Sequence, residues 1–539
     1  METTINFKRI LRSQYALTLV SVSLGLLFDY LFYDNYLGVS FPFFLLLITL
    51  ILVFYSLKPS LKGKKFHWFL IIAAITLSCT FVLYTNPYLL SLNLVLTYVF
   101  LVLGTQLMGF RFHYSLRNHR LISDISIFIK DTIIHMFTPF RLSFYKSIIS
   151  KSPNNKRITI KLLTGLALSL PVLLIIIPLL SSADLAFLKI VDQIALWISE
   201  IDLGDFGLHG IIILSVSLII FSYTYTLSKS DANESQADAN NTPKSTRLSF
   251  DPITISTLLL VLNVVYMVFA VTQFTYLFGG ESNTLVSGYT YSEYARKGFF
   301  ELVAVSIINL GLTLLIISFL KRESRSLLRL TQGLLMLLVV STIVILYSAH
   351  IRLSLYEETY GYTYMRILPH TFMILIFALL GISGFKVFRK SVPIIKLYTI
   401  ASIVWYIFFN FMNIDRIIVD NNVERYLRTG KIDISYLRNL SYEAIPSLIK
   451  LKKHCDQLIQ KEENKISSAY LIPLETVKYL EASSSKIPHW IRIEISRRLD
   501  YYFRRQLEDL NIQDDWPAFN FSKYRARREL LKYMPSLDS

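Results

Sequence analysis

The chain has 539 residues, of which 53% are hydrophobic and only 17% are charged, and its mean hydropathy is +0.47. A soluble domain carries about 25% charged residues, so this composition excludes an ordinary soluble protein and indicates a membrane protein. The formal charge of +17 at pH 7 does not predict a nucleic-acid partner, because short basic loops on the cytoplasmic side of membrane spans account for it.

Eleven apolar stretches follow one another along the chain, each close to the length of about twenty residues that crosses a bilayer. They cover residues 14–33, 38–56, 67–85, 88–108, 158–180, 208–227, 252–278, 299–320, 327–349, 368–388 and 394–412. Only a helix satisfies its own backbone in lipid, so all are predicted to be helical. The predicted fold class is all-α: a polytopic membrane protein of about 11 transmembrane helices with a C-terminal extracytoplasmic α-helical domain.

The distribution of Lys and Arg predicts the orientation. With the N-terminus inside, the inside segments carry 25 of these residues and the outside loops carry 5. This bias indicates a bacterial plasma (inner) membrane protein with a cytoplasmic N-terminus. An odd number of spans then places the tail, residues 413–539, outside the cell.

These observations divide the chain into four regions. Residues 1–108 hold four N-terminal transmembrane helices, and residues 109–157 form a basic cytoplasmic segment, which we expect to lie along anionic lipid headgroups. Residues 158–412 form a core of seven transmembrane helices, interrupted by a disordered cytoplasmic linker at 228–250. Residues 413–539 form the α-helical tail, with Asp433 and Ser441 as expected N-caps and an amphipathic helix from Trp490 to Leu510.

Polar and aromatic side chains are densest in the predicted outer loops around residues 291–301 and 350–366. Glu301 lies at a predicted helix start, where the helix dipole favours a negative charge, and Arg296, Lys297 or Arg352 would neutralise it. Two interpretations remain open: an outward-facing cavity for an anionic or hydroxyl-rich ligand, or a structural ion pair between helices. The candidate site residues are Tyr291, Glu293, Tyr294, Arg296, Glu301, Arg352, Tyr356, Tyr360 and Arg366.

Two further sets of polar residues lie in or near the spans. Asn263, Tyr266 and Gln273 share one helix face, where polar groups commonly hold helices together, and a pore is the alternative. Asp29 and Asp34 flank the outer end of the first span. An acidic pair in a first outer loop is also found in some lipid-dependent glycosyltransferases. The likeness is an analogy and does not assign that function to this chain.

The residues predict no catalytic residue, cofactor or metal site. The sequence lacks the GxxxxGK[ST], GxSxG, HExxH, CxxC and EF-hand patterns, and its nine His residues form no ligand cluster. The two Cys residues, Cys79 in a span and Cys455 in the tail, are too separate to predict a disulfide.

Several stretches together resemble a bacterial multi-span family catalogued as a domain of unknown function. They are LSSADLAF (180–187), NVVYMVFAVTQFTYLFGG (263–280), YSEYARKGFFEL (291–302), RLSLYEETYGYTYMR (352–366), NVERYLRTGKIDISYLRNLSYEAIPSL (422–448) and DWPAFNFSKYRARREL (515–530). The resemblance runs from about residue 160 to 535. It implies an inner-membrane protein with a helical tail and assigns no activity to any residue.

Three functional hypotheses follow. The first is a non-enzymatic cell-envelope scaffold or sensor whose outer loops and tail bind an envelope protein or a small ligand. The second is a transporter or flippase with a polar path past Asn263, Glu301 and Asn309. The third is a lipid-linked glycosyltransferase that uses Asp29 or Asp34.

Overall fold

The computed structural model is helical throughout the residues that it describes, with no strand among them. These residues are 14–56, 65–109, 132, 135–136, 138, 189–193, 204–229, 252–278, 299–319, 325–389, 392–469, 488–511 and 516–534. The predicted all-α fold class is therefore confirmed. The predicted span 158–180, the interfacial segment 109–157 and the linker 228–250 lie wholly or almost wholly outside the described residues.

The apolar helices follow the predicted spans closely. They are α1 (Gln14–Phe32), α2 (Ser40–Ser56), α3 (Lys65–Ser78) with the short α4 (Thr80–Leu83), α5 (Pro87–Gly109), α6 (Gly204–Lys229), α7 (Pro252–Phe278), α8 (Phe299–Phe319), α9 (Arg325–Tyr360), α10 (Tyr364–Phe388) and α11 (Ile394–Asn410). Eight spans in the described part of the chain are long and apolar enough to cross a membrane, and α11 with the helix Ile414–Thr429 that follows it makes a ninth if this bent pair is one span. α2 is a shorter apolar helix. The protein is a polytopic membrane protein.

The tail contains five helices and two 3-10 turns within the described ranges. They are α12 (Ile414–Thr429), α13 (Ile434–Leu437), the turn Tyr442–Ala444, α14 (Ile445–Ala469), α15 (His489–Asn511), the turn Trp516–Ala518 and α16 (Phe521–Tyr533). α12 follows α11 directly at a bend of 60°. The helix predicted from Trp490 to Leu510 is confirmed as α15. Asp433 is confirmed as an N-cap, since its carboxylate accepts a hydrogen bond from the Tyr436 amide at 3.0 Å.

Two details of the predicted elements are wrong. Residues 350–360 belong to α9 and not to a loop, which leaves Gly361–Thr363 as the connection to α10. At 1.5 Å per residue the 36 residues of α9 extend about 54 Å, well beyond the hydrocarbon core of about 30 Å. Hydropathy marks only the lipid-embedded part of such a helix. Ser441 precedes a 3-10 turn, but its side chain makes no capping bond.

The contacts within the chain define two compact units. The first comprises Met1–Val82, Leu92–Asn241 and Asp514–Phe519. In it α1 packs along α6, and Gly25 permits a close approach, since a Cβ there would lie 2.6 Å from the Ile213 carbonyl oxygen. The connection between α1 and α2 contacts the turn Trp516–Ala518, with the Val39 amide bonded to the Phe519 carbonyl at 3.0 Å.

The second unit comprises Leu83–Ser91, Thr242–Gln513 and Asn520–Ser539, and so includes both spans and tail. Its largest apolar core is built mainly from the tail helices, with buried residues such as Leu448, Leu499 and Phe503. Two span residues, Ile367 of α10 and Phe409 of α11, belong to the same core. The apolar interior of the tail is therefore continuous with the ends of these two spans.

Candidate functional site

The structure describes five of the nine predicted site residues. Tyr291, Glu293, Tyr294 and Arg296 lie outside the described residues. Glu301 is exposed in the first turn of α8, and Arg352 is partly buried on α9. The others, which are Tyr356, Tyr360 and Arg366, lie together at the connection between α9 and α10.

Arg366 lies against the two tyrosine rings at the end of α9. Its guanidinium carbon is 4.6 Å from the centre of the Tyr356 ring and 5.8 Å from that of Tyr360, within the range of cation–π attraction. Arg366 also donates a hydrogen bond to the carbonyl of Gly361. These contacts assign Arg366 a part in shaping the turn between the two spans.

The tail helix α12 holds the same turn by side-chain contacts to the backbone. Arg425 donates to the carbonyls of Glu358 at 2.8 Å and Thr359 at 2.6 Å, two acceptors that the end of α9 leaves without helical partners. Asn422 accepts from the Tyr362 amide at 3.1 Å and donates to its carbonyl at 2.8 Å. The turn is thereby fixed to the tail.

Gly361 makes this arrangement possible. Its φ of +88° lies in the left-handed region, and a Cβ there would be 2.6 Å from the side-chain oxygen of Asn422. Any other residue would be strained at this backbone conformation and would push Asn422 away.

A second contact region lies nearby in the same unit, and we name it the Asp415 cluster. It consists of buried or partly buried polar residues from the connection before α5, the start of α10, the first turn of α12 and the turn before α14. The members are Thr85, Asn86, Tyr364, Asp415, Ser441 and Glu443.

Asp415 Oδ2 is the centre of the cluster. It accepts from Tyr364 Oη at 2.6 Å, Ser441 Oγ at 2.7 Å and Asn86 Nδ2 at 3.1 Å. Asn86 is held in place because its own Oδ1 caps α5, accepting from the Leu89 amide at 3.1 Å. Asp415 is 3% exposed, so the carboxylate is removed from solvent.

Glu443 is the second carboxylate of the cluster and is 6% exposed. Its Oε1 accepts from the Thr85 amide at 2.7 Å and from Thr85 Oγ1 at 3.0 Å, and its Oε2 contacts Ser441 Oγ. These charges act on the neighbouring tyrosines. Burial first, and then the charge of Glu443, raises the pKa of Tyr84. Burial, and to a smaller extent Asp415, raises the pKa of Tyr436. Both phenols stay protonated and able to donate.

A chain of carboxylate and imidazoles joins α9 and α10. Glu357, which is 5% exposed, contacts His370 Nε2 at 3.0 Å, and His370 Nδ1 lies 2.9 Å from His350 Nδ1. Because the two Nδ1 atoms face each other, one of them carries a hydrogen and donates a hydrogen bond, and the other accepts that hydrogen bond. This chain orders the facing surfaces of the two spans.

Asp29, proposed above as a transferase carboxylate, forms a similar pair in the first unit. Its Oδ2 lies 2.7 Å from His209 Nδ1, and the residue is 9% exposed. Asp34 lies beyond the end of α1, exposed and with a φ of 54°. The two carboxylates therefore occupy different surroundings.

Two of the polar residues predicted within the spans, Asn263 and Tyr266, bind other helices, while the side chain of Gln273 lies outside the described residues. Asn263 donates to the Leu334 carbonyl at 2.9 Å. Tyr266 donates to Asn309 Oδ1 at 2.8 Å, and Asn309 Nδ2 donates to Thr342 at 3.0 Å. These bonds link α7, α8 and α9, as polar side chains between spans commonly do.

Sequence reasoning missed the Asp415 cluster and the histidine chain. A signal for the first exists in Asn86-Pro87, an N-cap followed by the proline typical of the first helical position. Asp415, immediately after an apolar span, is a second signal. Nothing in the sequence shows that these two regions meet, because 329 positions separate them.

The polar groups of the described residues do not form a conventional metal centre, since no set of three or more His, Cys, Asp and Glu residues among them is arranged to hold an ion. A model of the family described as a domain of unknown function (DUF4153) covers residues 71–451. No curated protein and no solved structure matches the chain. The family model covers well over half of the chain, and the protein therefore belongs to the DUF4153 family.

Proposed function

We propose that this protein is a non-enzymatic scaffold or sensor of the bacterial cell envelope, which binds a partner or ligand through its outer loops and tail. The observation that carries the proposal is the attachment of the tail to the span ends through Arg425, Asn422 and a shared apolar core. A tail held in this way is not a mobile tether. Binding to it therefore acts directly on the spans, and a change in the spans acts on the tail.

The contacts also support the outer location of the tail. Asn86 and Tyr364, at the ends of two different span connections, both bond to Asp415 of the tail, so all three lie at one face of the membrane. The connections 34–37 and 86–87 carry no Lys or Arg, which favours the outer face for them. With the predicted span 158–180 included, the chain crosses the membrane six times between Asn86 and Tyr364. An even number of crossings returns the chain to the same face, in agreement with the contact of both residues with Asp415.

The exposed surface of the tail supports a binding role. One stripe of α15 presents aromatic and basic side chains at helical spacing, including Trp490 at 68% and Tyr501 at 66% exposure. Trp, Tyr and Arg are the residues that most often dominate the energy of protein interfaces. The stripe consists of Trp490, Ile493, Arg497, Tyr501 and Arg504.

The alternatives have less support. A transport path past Asn263 and Asn309 would have to break hydrogen bonds that already join α7, α8 and α9. A transferase that uses Asp29 and Asp34 would need both carboxylates to contact the same substrate. Asp29 is instead paired with His209, while Asp34 is exposed after the helix end.

Impermeant maleimide labelling of intact cells tests the orientation. Glu424 on α12 and Arg389 after α10 are both exposed, and each is replaced by Cys in the full chain. We expect Glu424→Cys to be labelled in intact cells and Arg389→Cys only after lysis. The wild-type chain serves as the blank, since Cys79 lies within a span and Cys455 is buried, where burial raises the pKa of its thiol to about 11. The reverse pattern would place the tail in the cytoplasm.

Site-specific photocrosslinking in native membranes tests the binding role. A photoreactive residue replaces Tyr501 on the stripe or, as a matched control, Val268, which is exposed on span α7. We expect discrete protein adducts from position 501 and only lipid adducts from position 268. If position 501 gives no protein adduct while the chain is folded and exported, the scaffold proposal fails.

A further inference from the structure

The Asp415 cluster holds two carboxylates whose hydrogen-bond partners are all uncharged. Asp415 accepts from an amide and two hydroxyls, and Glu443 accepts from Thr85 and contacts Ser441. Within the described part of the chain, neither carboxylate forms an ion pair with Lys, Arg or His. Two neighbouring buried negative charges are costly unless something neutralises them.

The hydrogens of the cluster are too few for its contacts. Ser441 Oγ lies 2.7 Å from Asp415 Oδ2 and also contacts Glu443 Oε2, yet a hydroxyl has a single hydrogen to donate. This hydroxyl therefore cannot donate fully to both carboxylates, and an added proton or a bound cation are the two ways to neutralise the second one.

A buried acceptor distinguishes between these two solutions. Asp415 Oδ1 is inaccessible to solvent in a residue that is 3% exposed, and nothing in the described part of the chain donates a hydrogen bond to it. A proton on Glu443 would satisfy the contact with Ser441 but would leave Asp415 Oδ1 without a partner. A cation beside the two carboxylates would satisfy both requirements and cancel both charges.

We propose that Asp415 and Glu443 bind one divalent cation at the point where the tail meets the span connections. The candidate ligands are the carboxylate oxygens together with the hydroxyl of Ser441, an all-oxygen set that suits Ca²⁺ or Mg²⁺ rather than zinc or copper. Ca²⁺ fits better, because it accepts irregular geometry and carboxylates that bind through both oxygens. The proposed set contains only two carboxylates, and neutral oxygens would complete the coordination, as they commonly do around Ca²⁺.

Such a site would have a structural consequence. Asp415 begins α12, Glu443 lies in the turn before α14, and Asn86 and Thr85 lie in the connection before α5. A cation shared by the carboxylates would tighten all three segments, so that its concentration sets how firmly the tail is attached. The inference goes beyond the scaffold proposal and does not depend on the identity of any partner.

Calcium binding to the purified full-length protein in detergent tests the inference. After treatment with EDTA and removal of the chelator, equilibrium dialysis with radioactive calcium should show one saturable site per chain. CaCl₂ should raise the unfolding temperature with the same saturation, whereas NaCl at equal ionic strength should not. MgCl₂ should compete for the site.

Two substitutions locate the site. Asp415→Asn and Glu443→Gln should each abolish the calcium-dependent shift, while Asp420→Asn, an exposed carboxylate on the same helix, should keep it. The dialysis measurement on wild-type protein remains decisive if the two variants do not fold. Absence of bound calcium in the wild type, or equal loss of the shift in Asp420→Asn, would overturn the proposal. Stabilisation by acid without any response to calcium would indicate a shared proton instead and would also overturn it.

Discussion

The spans and the tail of the second unit differ in the side chains that they expose: both bury large apolar residues, but the spans also expose many of them. In α7 the large apolar residues Val264 and Val268 are 57% and 62% exposed, while α8 buries Ser306 and Thr313 completely. The buried hydroxyls bond to carbonyls four residues earlier, for example Thr313 to Asn309 at 2.7 Å. Lipid is as apolar as a valine, so a span can leave large apolar side chains exposed and still bury small polar ones beside its apolar contacts.

The tail follows the rule of proteins in water. Leu448, Leu499 and Phe503 are 0% exposed, and most charged side chains lie on the outer faces of its helices. One buried charge, Lys452 at 4% exposure, is neutralised by Asp456 at 2.9 Å and Asp500 at 3.2 Å. The difference shows that solvent, and not residue type alone, decides which side chains form an interior.

The largest expected difference between the two regions concerns apolar side chains. Phe503→Ala should lower the free energy of unfolding by about 3–5 kcal/mol, because it leaves a cavity in a closed core. Val268→Ala on the exposed face of α7 should change it by less than about 0.5 kcal/mol. Denaturant titration of both variants in detergent measures the two values. Equal losses would show that the exposed face of α7 is covered by protein.

A smaller difference concerns buried amides. Asn422→Leu should cost about 2–3 kcal/mol, because it leaves the amide and carbonyl of Tyr362 unpaired. Asn309→Leu, which removes bonds to Tyr266 and Thr342, should cost only about 1 kcal/mol, since polar groups in unfolded spans also find partners. The same denaturant titration compares the two. A larger loss of unfolding free energy in Asn309→Leu than in Asn422→Leu would show that the polar residues within the spans do more than hold the helices together.

The smallest expected effect is the response of the tail to acid. Burial favours a higher pKa for Asp456, but hydrogen bonds from Ser496, Lys452 and Tyr533 lower it below the ordinary value of 3.8. The stabilisation is therefore present above about pH 4 and is lost as the pH falls through the lower folded value. It should be below about 1 kcal/mol, because Asp456 is 37% exposed and water screens its charge.

Unfolding measured from pH 6 down to pH 2 should show this loss in the wild type. The Asp456→Asn variant should lack this component, and Asp420→Asn, with an exposed carboxylate on α12, should retain it. An unchanged acid response in Asp456→Asn would mean that other carboxylates control the acid stability of the tail.

The amino-acid sequence by itself determined the membrane class, the approximate bounds of the spans, the Asp433 cap and the amphipathic helix α15. Each depends on residues within a few turns of one another, where hydropathy, helical spacing and capping act directly. The Lys and Arg bias adds a predicted orientation because it depends only on which loops carry charge. The sequence did not predict the end of α9, since residues 350–360 are polar enough to suggest a loop. In the structure these residues continue the helix, and Arg425 of the tail bonds to carbonyl groups at its end.

Only the tertiary structure decided which polar residues meet. It joined Tyr356, Tyr360 and Arg366, three of the predicted site residues, through two cation–π contacts. It also gathered Asn86, Asp415 and Glu443, which the sequence did not single out together, and gave Ser441 a bridging position instead of a capping one. The physical reason is distance along the chain: the partners of Asp415 lie 26, 51 and 329 residues away, and no local pattern encodes the path that brings them together.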